Sequence, residues 1–387
     1  MAEKVTRRIA LDLAMIRPGS GGTGSGIWTY VRELVLHLDR QDVQSLEIIC
    51  FVNRRQLSAF SSLRNICLFC IPDLGKNILT RILWVHLLLP VLCLLKRISV
   101  LHRPATETPL LCPARRVTTV HDFYYEFLME QRPPAAIRVY ERLENLYFSL
   151  ITRICFRSSR AIITVSDAVR CEAARRYPAA AGRLHVIPHG HPPVPPARPE
   201  PVGPFNILCA AKFMEHKGQH LLIAAFEILM EKHPEWVGNV LLTLRGFQND
   251  CDYFERIQQQ VQASRWAGQI RLLPYRPEDG PDTIYKDIHL TVLLSSCEGF
   301  GLPVLEAQCF GIPVLCSNLS VLREVGGTGA LYVPREDSVA TAETLHQLIS
   351  DEALRKRQIE NGFENLRRFS WQAAAEKTLN VYRKVME

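Results

Sequence analysis

The stretch IHLTVLLSSCEGFGLPVLEAQCFGIPVLC, residues 288–316, decides the fold class of this chain. Its apolar run Ile288–Leu294 predicts a buried strand, and the glycine-rich turn that follows leads into a short helix with Pro303 in its first turn. A second apolar run, Val314–Cys316, comes after this helix. A strand, a helix and another strand in this order predict parallel strands that are joined by a helical crossover.

The same alternation fills both halves of the 387-residue chain, which is too long for one ordinary core. The first half contains strand-like runs such as Leu46–Val52 and helix-like runs such as Ile27–Asp39, and the pattern restarts at Phe205–Ala210. We therefore predict an α/β protein with two doubly wound, Rossmann-like domains. Ligands of such domains bind at the carboxyl ends of strands, and we expect the ligand in a cleft between the two domains.

A proline-rich stretch separates the two halves. Residues 188–204 contain eight prolines, which lack a backbone donor and disfavour helix in the residue before them. This composition predicts a stiff, extended linker. The sequence therefore predicts a first domain at 1–187, a linker at 188–204 and a second domain at 205–369.

Charge and cysteine usage limit the possible partners. Residues 1–187 hold 26 Lys and Arg against 15 Asp and Glu, so the first half favours an anionic partner. The chain shows no interleaving of aromatic and basic residues and no zinc module, which argues against nucleic acid. Of twelve cysteines only Cys67 and Cys70 form a C-x-x-C, without a second pair. We expect buried thiols in a reducing compartment and no metal site.

The N-terminal residues lack the apolar core of a signal peptide, so we expect a cytoplasmic protein. The longest apolar run, Ile82–Leu95, has 14 residues where a membrane span needs about 20, so we expect no crossing. We hypothesise that residues 81–97, with Arg81, Lys96 and Arg97, make a peripheral contact with the inner face of the cytoplasmic membrane. The alternative is a buried helix that packs on the first sheet.

A glycine-rich loop follows the first predicted strand. Residues 19–26 include five glycines, which let backbone amides approach an anion at the start of a helix. Gly19, Gly21 and Gly24 match the dinucleotide fingerprint, but Asn53 and Arg54 stand where its acidic residue is expected. The pattern favours contact with a phosphate or a sugar. A flexible turn is the alternative.

The second half offers charged residues after two predicted strands. Lys212 and Lys217 follow Phe205–Ala210 and can neutralise a diphosphate leaving group without a metal; a solvated turn is the alternative. Glu298 precedes a glycine-rich turn whose amides can bind hydroxyls, and Glu306 lies one helical turn further and can accept two ribose hydroxyls. A helix cap and a surface charge are the structural alternatives for these two carboxylates.

Glu298-x7-Glu306, with Gly-Phe-Gly-Leu-Pro between, resembles the signature of the family 4 retaining glycosyltransferases, which have the GT-B fold. Other segments resemble further motifs of that family: Ser25–Ile27, Val120–Asp122, Val186–Gly190, Lys217-Gly218 and Leu322–Gly326. Four positions depart from the pattern, namely Ser25 in place of a loop glycine, Thr29 and Lys212 where arginine is common, and His189 in place of an asparagine. A lysine keeps the charge but loses the bidentate fork of arginine.

The resemblance implies a role for each matching residue. The catalytic set would be His121 near the anomeric carbon, Lys212 and Lys217 on the diphosphate, and Glu298 on the donor sugar. The donor-binding set would comprise the Gly26 amide on the phosphates, the amides of Gly299, Phe300, Gly301 and Leu302 on the sugar, and Glu306 on the ribose. A final helix at 370–387 would pack back on the first domain.

The resemblance also implies the reaction. The chain would transfer a hexose from a nucleotide-diphosphate sugar of the GDP or UDP type to a polysaccharide or a lipid-linked oligosaccharide, with retention and without a cofactor or metal. The segments around His102–Pro109 and Thr119–Phe123 resemble bacterial mannosyltransferases of O-antigen or exopolysaccharide assembly. They favour GDP-mannose as the donor.

Three alternatives stay open at this point. A nucleotide-dependent oxidoreductase would place NAD(P) on the glycine-rich loop, with Arg54 or Arg55 on a 2′-phosphate, and leaves the Glu298–Glu306 segment unexplained. A sugar phosphorylase would use the same fold with inorganic phosphate. A non-catalytic relative would bind a sugar nucleotide without turnover, although Lys217, Glu298 and Glu306 argue against the loss of the site.

Overall fold

The structure is a computed structural model that describes residues 7–18, 24–42, 46–73, 77–131, 139–195, 201, 203–248, 250–276 and 279–387. The chain divides into two compact units. The first comprises the described residues up to Gly190 together with Ser370–Glu387, and the second is His191–Phe369. The described part of the proline-rich stretch forms no helix or strand.

The first unit is built on a seven-stranded sheet in the order β3-β2-β1-β4-β5-β6-β7, with every neighbouring pair parallel. Its strands are β1 Arg7–Asp12, β2 Leu46–Asn53, β3 Ile66–Ile71, β4 Ile98–Arg103, β5 Arg115–Val120, β6 Ala161–Thr164 and β7 Leu184–Val186. The second unit has a six-stranded parallel sheet in the order β10-β9-β8-β11-β12-β13. Its strands are β8 Phe205–Ala210, β9 Val240–Gly246, β10 Ile270–Pro274, β11 Leu290–Leu293, β12 Val314–Ser317 and β13 Ala330–Val333.

Helices connect the parallel strands, as such sheets require. The first six helices belong to the first unit: α1 Gly24–Leu38, α2 Ile78–Leu83, α3 Leu89–Leu95, α4 Tyr124–Gln131, α5 Val139–Ser158 and α6 Asp167–Arg176. The second unit contains α7 Gln219–Lys232, α8 Cys251–Ala263, α9 Pro281–Ile284, α10 Leu302–Cys309, α11 Ser320–Gly326, α12 Ser338–Ser350 and α13 Glu352–Leu366. The last helix, α14 Trp371–Met386, belongs to the first unit and packs on α1. Two Rossmann-like parallel sheets confirm the predicted fold class.

Both sheets change direction next to their first strand. In the first unit β1 lies between β2 and β4, and in the second unit β8 lies between β9 and β11. Connections leave to opposite sides at such a switch point, which opens a crevice at the carboxyl ends of the two strands. The turns after β1 and β4, and those after β8 and β11, are therefore the places where a ligand site is expected.

The helical stretch Ile78–Leu95 contains the apolar run Ile82–Leu95 and four further residues. It runs through α2, a π-helical turn at Trp84–Leu88 and α3, and a π turn is one way for a helix to accommodate the missing donor of Pro90. Its 18 residues, with a mean hydropathy of 2.2, are long and apolar enough to cross a membrane by length and composition. The expectation of no crossing counted only the uninterrupted apolar run, whereas the helix also includes Ile78–Arg81.

The alternative of a buried helix that packs on the first sheet holds for one face of the stretch only. Only the face with Trp84, Val85, Leu89 and Cys93 is buried against the sheet, and only 22% of the stretch is buried inside the unit. Part of the expectation for the thiols is also corrected, because Cys67 and Cys70 are exposed. They lie on β3, which is an edge strand with one side open to solvent.

Candidate functional site

The turns after β8 and β11 lie in direct contact at the switch point of the second unit. Gly218, which ends the first of these turns, has φ +72°, and a Cβ at this position would lie 2.3 Å from the carbonyl oxygen of Leu294. The amide of Ser296 donates to the carbonyl of His216 at 2.8 Å. Only glycine allows this close approach and this conformation together. The Lys217-Gly218 motif therefore brings its lysine to the end of the neighbouring strand.

Lys217 and Glu298 form an ion pair across the switch point. The Lys217 Nζ donates to the Glu298 Oε1 at 2.6 Å, and the Ser295 hydroxyl donates to the same oxygen at 2.7 Å. Both charged side chains are largely shielded, with exposed fractions of 16% and 12%. Charge-assisted bonds of this kind fix both groups in place before any ligand arrives. Glu298 is therefore not a simple helix cap, since its carboxylate binds a lysine and a serine.

The surroundings of this pair are strongly positive. Burial lowers the pKa of His216 to about 2, with further contributions from the charges of Lys217, Lys212 and Arg335. Burial keeps this histidine neutral, and the three cations that lower its pKa further make the region attractive to an anion. Arg335 donates to the carbonyls of Leu294 and Glu215 at 2.9 and 3.2 Å.

The sequence analysis did not identify Arg335. The available signal was its position two residues after Val333, the end of β13, because the carboxyl ends of parallel strands share one edge. Ser295 was also missed as a partner of Glu298, although it opens the segment that carries the motif. The structure thus places Lys212, Lys217, Glu298 and Arg335 around one edge of the second sheet.

The turn at Gly299–Leu302 leads into α10. Gly301 has φ +88°, and a Cβ there would lie 2.7 Å from the Leu322 Cδ2 atom, so the turn requires glycine at this position. Phe300 is buried and meets Phe369 edge to face at 5.7 Å. Its side chain therefore belongs to the core, and a ligand-binding role of this turn is limited to its backbone. The N-terminal amides of α10 suit an anionic or hydroxyl-bearing ligand.

Glu306 lies one turn inside α10 and is half-buried. Its Oε2 accepts a hydrogen bond from the Tyr285 hydroxyl at 2.9 Å, and the Tyr285 ring stacks on Phe310 at 5.4 Å. The surface-charge alternative is therefore wrong. Burial raises the pKa of Glu306, and the hydrogen bond from Tyr285 opposes that shift. A desolvated carboxylate with one fixed partner keeps acceptor capacity for ligand hydroxyls.

The substitution Glu306→Gln is expected to raise the melting temperature of the unliganded protein at neutral pH. A carboxyl whose pKa is higher in the folded state than its ordinary 4.5 stabilises the fold below that pH, and the contribution is lost as the pH rises through the folded pKa. The glutamine keeps an acceptor for Tyr285 and does not ionise. Thermal unfolding from pH 4 to 8 should show a difference that grows with pH. The control Glu360→Gln, on an exposed side chain, should show none, and an equal response of both variants would contradict the argument.

In the first unit His121 follows β5. Its Nε2 donates to the carbonyl of Pro104 at 3.0 Å, and its ring meets that of Tyr30 edge to face at 5.0 Å. Burial lowers the pKa of His121. The ring is therefore neutral at pH 7, with the proton on Nε2 and a lone pair on Nδ1.

Gly26 lies exposed in the first turn of α1, and a Cβ at this position would have no neighbour within 4 Å. The packing of the unit therefore does not explain a glycine there. Gly19 and Gly21 of the proposed fingerprint lie outside the described residues.

A buried ion network, which the sequence did not reveal, supports the switch point of the first unit. Asp12 at the end of β1 accepts hydrogen bonds from Arg103 at the end of β4 and from the Trp84 Nε1 at 3.0 Å. Arg103 also binds Glu107 at 3.2 Å, and Glu107 binds Arg81 at 2.6 Å. The network joins the ends of two strands to the helix at Ile78–Leu95. Arg81 is thus held inside the unit, which corrects its proposed role as a membrane-facing charge.

Two groups of side chains in the second unit contain possible metal ligands. His233, Glu235 and His346 come together at the far end of α7 from Lys217. The two imidazoles stack at 3.6 Å with an interplanar angle of 5°, so their in-plane lone pairs do not converge on one ion. The chain also contains an Asp-x-Asp pair at 250–252, which the sequence analysis overlooked. Its Asp250 caps α8 by accepting from the Tyr253 amide at 3.0 Å.

Comparisons with known proteins agree with this geometry. The profile described as "Glycosyl transferases group 1" matches residues 194–365, and the profile described as "Glycosyltransferase Family 4" matches residues 24–193. The first covers all of the second-unit strands, and the second covers β2 to β7 of the first unit. Together the two profiles extend over most of the chain.

Individual relatives are similar at moderate identity. The O-antigen chain mannosyltransferase B of Escherichia coli is 29% identical over 280 residues, which are 70% of either chain. A D-inositol 3-phosphate glycosyltransferase of Corynebacterium urealyticum is 28% identical over 169 residues, 43% of this chain and 40% of the relative. The crystal structure of Anabaena HepE in complex with UDP and glucose superimposes with a TM-score of 0.71 at 15% identity, over 98% of this chain and 99% of the other. This last likeness shows the fold alone.

Proposed function

Because this chain belongs to glycosyltransferase family 4, we propose that it transfers a hexose from a nucleotide-diphosphate sugar with retention of the anomeric configuration. The observation that carries the proposal is the Lys217–Glu298 ion pair at the switch point of the second unit, 2.6 Å long and shielded from solvent. In this proposal the lysine neutralises the diphosphate, and the carboxylate beside it holds hydroxyls of the sugar. The oxidoreductase alternative gives this pairing no role.

The donor binds through complementary charges. Lys212 and Lys217, with the nearby Arg335, neutralise the diphosphate, and the backbone of Gly299–Leu302 with Glu298 holds the sugar. Glu306 accepts the two ribose hydroxyls, held in place by Tyr285. From the first unit we assign the Gly26 amide to the diphosphate, and the lone pair of the His121 Nδ1 to a hydroxyl of the transferred sugar.

The reaction proceeds by attack on the same face as the leaving group. The bond between the anomeric carbon and the diphosphate oxygen breaks, and its electron pair leaves with the diphosphate. The acceptor oxygen forms the new bond to the anomeric carbon and gives its proton to the departing phosphate. The lysines stabilise the charge that develops on the leaving group, so the proposed step requires no metal ion.

We propose mannose as the sugar, GDP-mannose as the donor and a polysaccharide or lipid-linked oligosaccharide as the acceptor, in the cytoplasm. Support comes from the segments His102–Pro109 and Thr119–Phe123 and from the similarity to an O-antigen chain mannosyltransferase. The UDP bound by HepE belongs to a structure that is only 15% identical.

The test is a thermal-shift comparison of GDP, UDP and ADP on the full chain. A ligand that binds only the native state raises the melting temperature by mass action. GDP should give the largest shift, and Glu306→Ala should reduce it because the ribose loses its acceptor. A response to UDP instead of GDP would remove GDP-mannose but keep the reaction class. No shift with any of the three nucleotides, or release of sugar 1-phosphate on addition of inorganic phosphate, would overturn the proposal.

A further inference from the structure

Exposed aliphatic side chains concentrate on one part of the first unit. Nineteen large hydrophobic residues are exposed among the described ones, and twelve of them lie within three segments: residues 78–95, residues 110–111 and α5. The first segment presents one row of them, each between 46% and 72% exposed: Leu79, Leu83, Leu87, Val91, Leu94 and Leu95. Soluble monomers rarely leave apolar patches larger than a few hundred Å² in contact with water.

Contacts around His86 join the three segments. The His86 Nε2 donates to the Tyr147 hydroxyl on α5 at 3.1 Å, and its Nδ1 accepts from the Leu110 amide at 3.3 Å. The Arg81 guanidinium lies 5.7 Å from the centre of the Phe148 ring. The three segments that carry the exposed leucines are therefore in contact with one another. We call this surface the leucine face.

The stripe on α5 changes from apolar to basic along the helix. Its exposed members follow a spacing of three and four residues, so they share one side of the helix: Leu143, Leu146, Leu150, Arg153 and Arg157. Arg97, at the end of the first segment, is also exposed. Residues 77–103 hold no acidic residue, and of their four basic residues Arg81 and Arg103 are paired in the ion network, which leaves Lys96 and Arg97 at the end of the segment. The leucine face thus combines aliphatic side chains with positive charge.

We infer that the leucine face docks this protein peripherally on an anionic lipid bilayer. The leucines enter the boundary of the acyl chains, and the arginines bind lipid phosphates. A second copy of the chain fits less well, because a symmetric contact would bring the same basic residues of two copies together. The inference rests on the proposed function in one respect, since a lipid-linked acceptor would be presented at that bilayer.

The contact is peripheral and does not span the bilayer. The inner side of the segment 78–95 is fixed in the unit, because Trp84 donates to the buried Asp12 and packs with Val85 and Leu89 in the core. If the helix left the unit to span a bilayer, the buried Asp12–Arg103 pair would lose its contact with Trp84, and the core residues that pack against the helix would become exposed. The earlier hypothesis of contact through 81–97 is therefore extended to three segments, and Arg81 is removed from the contact.

The test is flotation of the full chain with vesicles of phosphatidylcholine alone and with phosphatidylglycerol added. The protein should float with the anionic vesicles, less in high salt, and should be released by alkaline carbonate. Leu146→Glu/Leu150→Glu should lower the partition coefficient by more than about tenfold, because each leucine removed from the membrane costs about that factor. Arg153→Ala/Arg157→Ala should remove the preference for anionic vesicles. The control Val339→Glu, on an exposed residue of α12 in the second unit, should float like the unmodified protein.

The inference would be overturned if the protein did not float with anionic vesicles, if Val339→Glu lost as much vesicle binding as the double leucine variant, or if carbonate did not release the protein. It would also be overturned if light scattering showed a dimer that the double leucine variant converts to a monomer. Circular dichroism checks that each variant is folded. The shift with GDP separates the two proposals, because Glu306, assigned to the ribose, and Tyr285, which positions it, belong to the second unit. A variant that loses vesicle binding should keep that shift. A protein that floats but ignores nucleotides would refute the proposed function and leave the docking surface intact.

Discussion

Replacing Lys217 by alanine is expected to lower kcat/KM for sugar transfer by about 10²–10³-fold, the usual loss when one preorganised donor to a developing oxyanion is removed. The Lys217 Nζ is held 2.6 Å from Glu298 at the switch point. Without it the diphosphate leaves with less charge stabilisation, and the Glu298 carboxylate loses its ionic partner. Initial rates with the nucleotide sugar, together with the melting temperature of each variant, measure the effect.

The matched control for this variant is Lys232→Ala. Lys232 stands at the other end of α7, where it is 48% exposed and reaches Glu343 only at 3.5 Å. Exposed pairs of this kind contribute at most about 1 kcal/mol, so the rate and the melting temperature should stay unchanged. A Lys217→Ala enzyme that transfers sugar within twofold of the unmodified protein would contradict the role of the lysine. Equal losses in both variants would point to a general effect of charge.

Much of the fold could be predicted from the sequence, because buried parallel strands appear as apolar runs between helices. The strands missed by this reasoning were β3, β4 and β13. Strand β3 is an edge strand with exposed cysteines, so its burial does not alternate in the usual way. Strand β4 follows the apolar helical stretch after only Lys96 and Arg97, so the helix hides its signal. Strand β13 is four residues long and half-buried at its centre, which leaves little periodicity to recognise.

The motifs also indicated which residues gather at the strand ends, but not how they pair. Lys217 and Glu298 are 81 residues apart, and their ion pair depends on the contact between Gly218 and Leu294. Tyr285 carried no motif, yet it fixes Glu306. The exposure of the outer face of the segment 78–95 could not be predicted from the sequence either, because an apolar composition does not distinguish a buried helix from an exposed one. These features arise from packing between distant parts of the chain.

The second large effect concerns stability: Asp12→Ala should lower the free energy of unfolding of the first unit by about 3–5 kcal/mol, the range for breaking a buried ion pair. Asp12 and Arg103 are 1% and 3% exposed. The carboxylate also accepts from the Ala14 amide at 3.1 Å and from Trp84. Its removal leaves three donors without their acceptor and a guanidinium whose remaining carboxylate, Glu107, is shared with Arg81. Urea unfolding and hydrogen exchange of β1 and β4 measure the loss.

The control Glu47→Ala removes the Arg8–Glu47 pair of the same sheet, whose members are 38% and 32% exposed. Because water screens that pair, the loss should stay below about 1 kcal/mol. Similar losses for both variants would mean that Asp12 acts through general charge balance and not as the acceptor at the centre of a buried network. Asp12→Asn decides between charge and hydrogen bonding, because the amide oxygen still accepts from Trp84 while Arg103 keeps only Glu107, which it shares with Arg81. We expect it to be nearly as destabilising as the alanine, since a buried cation that loses part of its counter-charge costs more than a lost neutral hydrogen bond.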